Sequence, residues 1–390
     1  MKIGIVLSNT PSYSETFFNA KIDKLKEKGV EVVLFSKKKR DYHKTRVIAP
    51  LDHTVLGLMR FFLIALVHYS KLRKFYILEL ESRNDKKRAL KNTFLNVHML
   101  TEKLDWIHFG YATATINREN VASIIGAKMA VSLRGYDINV YPLQNENCYA
   151  LLWKKIDKVH SVSNYLLNKA YTLGLAKNTD YKIIHDAVAT KHILDKTEAI
   201  NFIKSNNKGC LEIVTIARLN WVKGVQHAIQ AMEVLKKQKI NFKYVVIGGG
   251  TKQEYEYLYF LIQELGLKEH VKLLGELSHL ESLEFLKTAD VYVQPSIGEG
   301  FCTSVVEAQA LGKICIVTDA GGLPENVLHS KTGWVVPKMN PVAMANQIME
   351  FYNTTNEIKR TMALAAIERV ENNFTTKQQL EEFIKFYSKK

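Results

Sequence analysis

The sequence predicts an α/β fold of two parallel-sheet domains, and three observations predict it. Short apolar runs alternate with helix-length amphipathic segments from the first residue on. The alternation starts afresh after residue 209. The chain has 390 residues, 47% of them hydrophobic, which is enough for two cores and too apolar for disorder. Strands separated by helix-length stretches make βαβ units, and βαβ units make parallel sheet.

Each element follows from its own pattern. KIGIVLS (2–8) is a buried strand, and Phe17, Ala20 and Leu25 set between lysines give an amphipathic helix over 16–28. VEVVLFS (30–36), KLDWIHFG (103–110), GAKMAVSLRG (126–135) and DKVHSVS (157–163) read as the next strands. In the second half, 210–218 is a strand, 224–237 a helix, and 242–250 a strand closed by three glycines. HVKLLGEL, ADVYVQPS and KICIVTDAGG supply three more strands. The polar stretch 190–209 reads as a boundary. The expectation is two Rossmann-like domains facing across a cleft, with ligands at the carboxyl ends of the strands.

Charge and cysteines limit the class. Residues 1–200 hold 32 Lys and Arg against 19 Asp and Glu, whereas residues 201–390 hold 22 against 20. One half is strongly basic and the other nearly neutral, which points to an anionic partner such as nucleic acid or a membrane face. Cys148, Cys210, Cys302 and Cys315 form no C-x-x-C pair, a pattern of reducing compartments, and the expected location is cytoplasmic. The start MKIGIVLSNT reads as a first strand, not a signal peptide. The longest apolar stretch, 55–69, contains Arg60 and is shorter than the roughly 20 residues of a membrane span. A soluble or peripheral protein is expected.

Four features fall at strand ends of the second half. In RLNWVKG, Arg218 closes a strand and Lys223 stands at a helix start, a pairing suited to a diphosphate; the alternative is a solvated turn. The Gly248-Gly249-Gly250 turn lets backbone approach a ligand, or is a plain tight turn. In PSIGEGFCTSVVEAQALG a glycine-containing loop precedes an apolar helix that starts near Cys302 or Thr303. The amides of Phe301, Cys302 and Thr303 are expected to point free into the cleft. Glu299 in that loop and Glu307 in the helix are acceptors suited to sugar and ribose hydroxyls, or else surface charges. In TDAGGLPENV, Gly321, Gly322 and Pro324 make a rigid turn.

The order R-L-x3-K-G (218–224), glycine turn, G-E-G-F-x5-E (298–307) and G-G-x-P-E (321–325) resembles the nucleotide-sugar glycosyltransferases of family 4. The likeness is specific over 210–340. It is looser through PSYSETF (11–17), IHFG (107–110), SLRGYD (132–137) and VHSVSNYL (159–166). The resemblance implies a GT-B fold and a retaining transferase moving a hexose-type sugar from a nucleotide-diphosphate sugar to a glycan or lipid-linked glycan, in cell-surface polysaccharide synthesis. It implies a donor diphosphate on Arg218 and Lys223, donor-sugar hydroxyls on Glu299, and ribose on Glu307. Gly249, Phe301, Cys302 and Thr303 would line the donor site, and the segment around Gly275, Glu276 and Leu277 would cradle the base. No metal and no resident cofactor are implied. The implied domains are 1–188 for the acceptor, 189–372 for the donor, and 373–390 as a helix packing back on the first domain.

The acceptor side is expected in the first domain. Glu15, His108, Arg134 and Asp137 are the candidate acceptor or sugar contacts. Many members carry histidine where Arg134 stands, and an arginine cannot act as a base near neutral pH. Ser14-Glu15-Thr16 stands where many members have two glycines. Basic clusters at 36–46, 71–74 and 84–91 flank the apolar 55–69 stretch. That arrangement suits the inner face of an anionic membrane, or belongs to an ordinary core helix with solvated lysines. No nucleic-acid-binding signature accompanies the charge, so no nucleic-acid partner is expected. The competing readings are a nucleotide-sugar epimerase of the same fold, which would turn over donor without acceptor, and a basic nucleic-acid- or membrane-binding protein without transferase activity.

Overall fold

The computed structural model describes the chain except residues 12–15, 38–41, 43, 84, 203–208 and 389–390. It divides into two units, Met1–Ile184 with Leu380–Lys390, and His185–Gln379. The first break falls four residues before the expected 188/189 boundary. The reason is local: the His185 ring stacks on Phe301 at 4.8 Å, within the second unit.

The first unit is built on a seven-stranded parallel sheet: β1 (Lys2–Val6), β2 (Glu31–Phe35), β3 (Arg46–Ile48), β4 (Trp106–Phe109), β5 (Lys128–Leu133), β6 (Lys158–Ser161) and β7 (Asp180–Ile183). Its order is β3-β2-β1-β4-β5-β6-β7. Helices α1 (Thr16–Glu27), α2 (Val55–Arg83) and α3 (Lys86–Leu100) belong to this unit. Asp85 caps α3 by accepting from the Arg88 amide at 3.0 Å. The second unit has β8 (Leu211–Ile216), β9 (Phe242–Ile247), β10 (Val271–Gly275), β11 (Val291–Gln294), β12 (Ile314–Thr318) and β13 (Gly333–Val336), ordered β10-β9-β8-β11-β12-β13. Its helices include α4 (Val225–Lys237), α5 (His279–Thr288), α6 (Thr303–Ala310) and α7 (Asn356–Asn373).

The strand order reverses direction between β1 and β4 in the first sheet and between β8 and β11 in the second. In open α/β sheets that reversal opens a crevice at the strands' carboxyl ends. The central strands are buried on both faces, which is why they read as near-continuous Val/Ile/Leu runs. The sequence patterns miss β3, β7 and β13. All three are short strands at the sheet edges.

The last helix, α8 (Thr376–Tyr387), spans the second break; Leu380 is buried, and Phe383, Phe386 and Tyr387 lie in the core of the first unit. A buried hydrogen-bond chain anchors it. His160 Nε2 donates to the Ile184 carbonyl at 2.9 Å, and Ser132 Oγ donates to His160 Nδ1 at 2.7 Å. His108 Nε2 then donates to Ser132 Oγ at 2.7 Å, and Tyr387 OH donates to His108 Nδ1. The carbonyl at one end sets every donor in the chain.

Helix α2 is 29 residues long and bends at His68 (φ −112°, ψ 23°). After the bend it is docked: Glu79 is fully buried and accepts from Arg83, Asn92 and Asn120, and Arg83 also pairs with Glu119. Before the bend most of its apolar side chains are exposed, with Phe61, Ile64 and Ala65 half-buried. Residues 55–67 are therefore not a core helix, and the helix, bent at His68, is longer than the apolar run within it.

Candidate functional site

The loops after β8 and β11 meet at the crevice of the second sheet. Asn220 Oδ1 accepts from the Lys223 amide at 3.2 Å and closes a single 3₁₀ turn, Trp221–Lys223. Gly224 ends it at φ 63°, and a Cβ there would stand 2.1 Å from the Pro295 carbonyl oxygen. Only glycine lets this turn lie against the β11 loop. The Ile297 amide donates to the Val222 carbonyl at 2.7 Å and bolts the two loops together.

This register brings Lys223 Nζ to 2.5 Å from Glu299 Oε1. Burial opposes the lysine's charge, but the Glu299 carboxylate outweighs it and holds Lys223 above its usual range. Glu299 is held from behind as well. Ser296 Oγ donates to the same Oε1 at 2.8 Å, Gln294 Nε2 donates to Ser296 Oγ at 2.8 Å, and Tyr292 OH donates to Gln294 Oε1 at 2.6 Å. The Ser296 carbonyl accepts from Thr318 Oγ1 at 2.6 Å, and the Gly322 amide donates to the Glu299 carbonyl at 3.0 Å. The loops after β11 and β12 thus form one hydrogen-bonded platform.

Arg218 stands beside this pair. Its side chain is exposed, its charge acts on Lys223, and it makes no hydrogen bond or ion pair among the described residues. Lys223 is paired with Glu299 here, and the exposed Arg218 beside it is a second cation that has no such partner among the described residues. The Gly248–Gly250 turn backs onto the same place. Gly248 has φ 147°, a Cβ there would lie 2.0 Å from the Ala217 carbonyl oxygen, and the Leu219 amide donates to the Gly249 carbonyl at 2.7 Å. Gly275 ends β10 beside it, its carbonyl accepting from the Gly248 amide at 2.8 Å, and half-buried Leu277 follows.

Helix α6 begins at Thr303, but the Cys302 amide is not free. It donates to Asn326 Oδ1 at 3.1 Å, and Asn326 Nδ2 donates back to the Cys302 carbonyl at 3.1 Å. The expectation of three open amides fails here because a residue 24 positions away fills the cap. Arg369 of α7 holds that turn, donating to the Glu325 carbonyl at 2.7 Å. Burial, and next the Glu299 charge, push the Cys302 thiol up to about 11, so it stays protonated at neutral pH. Phe301 is buried between His185 and Phe374.

Glu307 is half-buried and pairs with His279 Nε2 of α5 at 2.7 Å. Its hydrogen bond raises the His279 pKa against the effect of burial. The folded protein therefore favours the imidazolium. The pair's contribution is complete below the ordinary histidine range and fades as pH rises through the raised value. Melting temperatures between about pH 5 and pH 9 are expected to fall further for wild type than for His279→Gln. Parallel curves would remove the pair from the account.

In the first unit, His108 is 1% exposed and both ring nitrogens are engaged, so it is part of the core and its pKa is pushed well down by burial and by Lys21. Asp137 is buried too. Its Oδ1 accepts from the Arg134 and Gly135 amides and its Oδ2 from the Ala112 amide, so it braces the turn after β5. Neither presents the open side chain that an acceptor contact needs. Arg134 lies over the Phe18 ring at 5.1 Å. Glu15 is outside the described residues. Sequence reasoning missed Gln294, Ser296, His279 and Asn326. The polar letters Gln and Ser in the otherwise apolar VYVQPS were the available signal for the first two. Among the described residues no three His, Cys, Asp or Glu side chains gather as a metal-holding group.

Residues 196–369 match the family model described as glycosyl transferases group 1. WcaL of Escherichia coli, named for colanic acid biosynthesis as a glycosyltransferase, is 27% identical over 276 residues, covering 68% of this chain and 66% of WcaL. The amylovoran biosynthesis glycosyltransferase AmsK of Erwinia amylovora is 26% identical, covering 69% of this chain and 65% of AmsK. The match therefore spans just under two thirds of the length of either relative. Anabaena HepE in complex with UDP has the same fold, with a TM-score of 0.74 at 17% identity and 98% of each chain covered. Sucrose-phosphate synthase from Thermosynechococcus elongatus shares the fold as well, with a TM-score of 0.74 at 18% identity and 99% of this chain and 98% of that chain covered.

Proposed function

We propose, from the match of residues 196–369 to the glycosyl transferases group 1 model, that this chain is a glycosyltransferase that moves a hexose-type sugar from a nucleotide-diphosphate sugar to a glycan or lipid-linked glycan in polysaccharide synthesis. One observation carries the reading. Exposed Arg218 stands next to a Lys223–Glu299 pair at the crevice of the second sheet, so a cationic site faces solvent where α/β sheets take ligands. Transfer breaks the bond between an anomeric carbon and the diphosphate, and negative charge grows on the departing oxygen. Arg218 and Lys223 stabilise that charge more in the transition state than in the ground state.

In this reading Glu299 does two things. Its Oε1 holds the Lys223 ammonium, and its remaining carboxylate oxygen accepts from donor-sugar hydroxyls. Glu307 takes ribose hydroxyls, with His279 fixing its rotamer. Gly249, Leu277, Phe301 and Thr303 line the donor, and Cys302 contributes shape and no free amide. Arg134 contacts the sugar or acceptor. The reaction retains anomeric configuration: the acceptor attacks the face that the diphosphate leaves, and the departing phosphate oxygen takes the acceptor's proton. The two side-chain cations supply the charge, so the reading assigns no metal and no cofactor to the step. The enzyme works on the cytoplasmic side, where its acceptor is met at an anionic membrane face.

A thermal-shift screen of nucleoside diphosphates tests it. UDP is the first probe because HepE is recorded with it. At a hundredfold excess over its dissociation constant a ligand stabilises by about 2.7 kcal/mol, a shift of several degrees. No shift with any nucleoside diphosphate would sink the reading. Proton NMR of the anomeric linkage formed from an α-configured donor checks retention.

A further inference from the structure

Residues Leu56, Met59, Phe62, Leu63, Leu66 and Val67 are all exposed on the first half of α2, Leu66 at 80% and Val67 at 78%. At 100° per residue they fall on one continuous arc of roughly 140°. Gly57 and Phe61 lie outside that arc and hold the helix to the unit. Gly57 packs against the Asp52 backbone, and Phe61 meets Phe94 of α3 at 5.3 Å. One side of the segment is fixed and the other is an uncovered apolar ridge.

The charges beside it are all of one sign. No acidic residue stands between Asp52 and Glu79, while Arg60, Lys71, Arg73 and Lys74 do. Just past the bend at His68 the exposed face changes from apolar to cationic, with Arg73 and Lys74 exposed. Lys91, also exposed, lies one turn from Phe94. An apolar ridge bordered by cations without anions matches a bilayer's acyl boundary bordered by anionic headgroups.

We infer that Val55–Val67 is an interfacial anchor. It lies in the plane of an anionic membrane with its ridge among the acyl chains, and Arg60, Lys71, Arg73 and Lys74 rest at the headgroups. The whole helix Val55–Arg83 is long and apolar enough to cross a membrane by length and composition alone, but in this inference the segment lies on the bilayer and does not span it. The 55–69 stretch is about 22 Å long at 1.5 Å per residue, against a hydrocarbon core of about 30 Å. Beyond the bend the helix is committed to the protein through Glu79 and Arg83. The inference rests on the membrane part of the proposed function and is independent of the sugar chemistry.

Sedimentation of the full chain with phosphatidylcholine vesicles, and with vesicles containing phosphatidylglycerol, tests it. Wild type is expected to pellet with the anionic vesicles at low salt and to be released at high salt. Arg73→Ala with Lys74→Ala is expected to weaken binding about 25-fold, since each cation near an anionic leaflet contributes about fivefold. Phe62→Ser with Leu66→Ser is expected to weaken it at least about tenfold. Their UDP-induced thermal shift is expected to equal wild type, which separates lost docking from misfolding and from failure of the transferase reading. Leu66→Trp is expected to be quenched by brominated lipid. Three results would overturn the anchor: no vesicle binding by wild type, full binding by Phe62→Ser with Leu66→Ser, or a wild-type dimer in lipid-free buffer that those two serines dissociate.

Discussion

Arg218→Ala is expected to slow sugar transfer roughly 10²–10³-fold and to leave the melting temperature of the ligand-free protein unchanged. The two halves of that result have one cause. Arg218 is exposed and makes no ion pair or hydrogen bond among the described residues, so its removal orphans no group and opens no cavity. In the proposed reaction, what is lost is charge aimed at the departing diphosphate. Lys223→Ala differs in kind. It removes a donor and also strands the nearly buried Glu299 carboxylate, leaving Ser296 as its side-chain partner. Breaking a buried pair costs up to about 3–5 kcal/mol, and less here because a fifth of the Lys223 side chain reaches solvent. Steady-state rates beside thermal melts separate the two variants. An Arg218→Ala enzyme with wild-type kcat would show that the arginine is only a solvated turn residue.

Gly224→Ala is the second large effect, and it is expected to damage the fold and the reaction together. The new methyl would sit 2.1 Å from the Pro295 carbonyl oxygen, and backbone is what it meets. Forcing alanine to φ 63° costs about 1–2 kcal/mol, and separating the two loops adds about 1–3 kcal/mol of overpacking. The loops would part where Ile297 bonds Val222, and Lys223 would lose its 2.5 Å contact with Glu299. Urea melts are expected to show the loss of stability, and turnover of the surviving folded fraction is expected to fall at least tenfold. An alanine variant as stable and as fast as wild type would mean that the loops have another way to pack.

The parts that could be read in the sequence are those set by local periodicity. The central strands are runs such as ICIVT, and α4 repeats apolar residues at helical spacing, so both follow from composition over a few residues. Arg218, Lys223 and Glu299 were legible because each stands just past a strand end, and the reversal of strand order between β8 and β11 brings those ends together. The edge strands β3, β7 and β13 were not legible, because each pairs with one neighbour only and its segment was not marked off as a strand by the residues around it. His108 misled for a related reason. A histidine ending a strand looks the same whether it faces solvent or, as here, Ser132 and Tyr387. Cys302 misled because the amide's partner, Asn326, lies on another turn. The exposure of residues 55–67 was equally hidden, since an apolar helix carries no mark of whether a core covers it.

The central claim is that the cations at the carboxyl ends of the second sheet hold a diphosphate. Calorimetric titration of UDP into wild type and into Arg218→Ala tests it most directly. The account predicts a dissociation constant raised roughly 10–100-fold by the substitution, the worth of hydrogen bonds to a charged group. Equal affinity of the two proteins for UDP would contradict it.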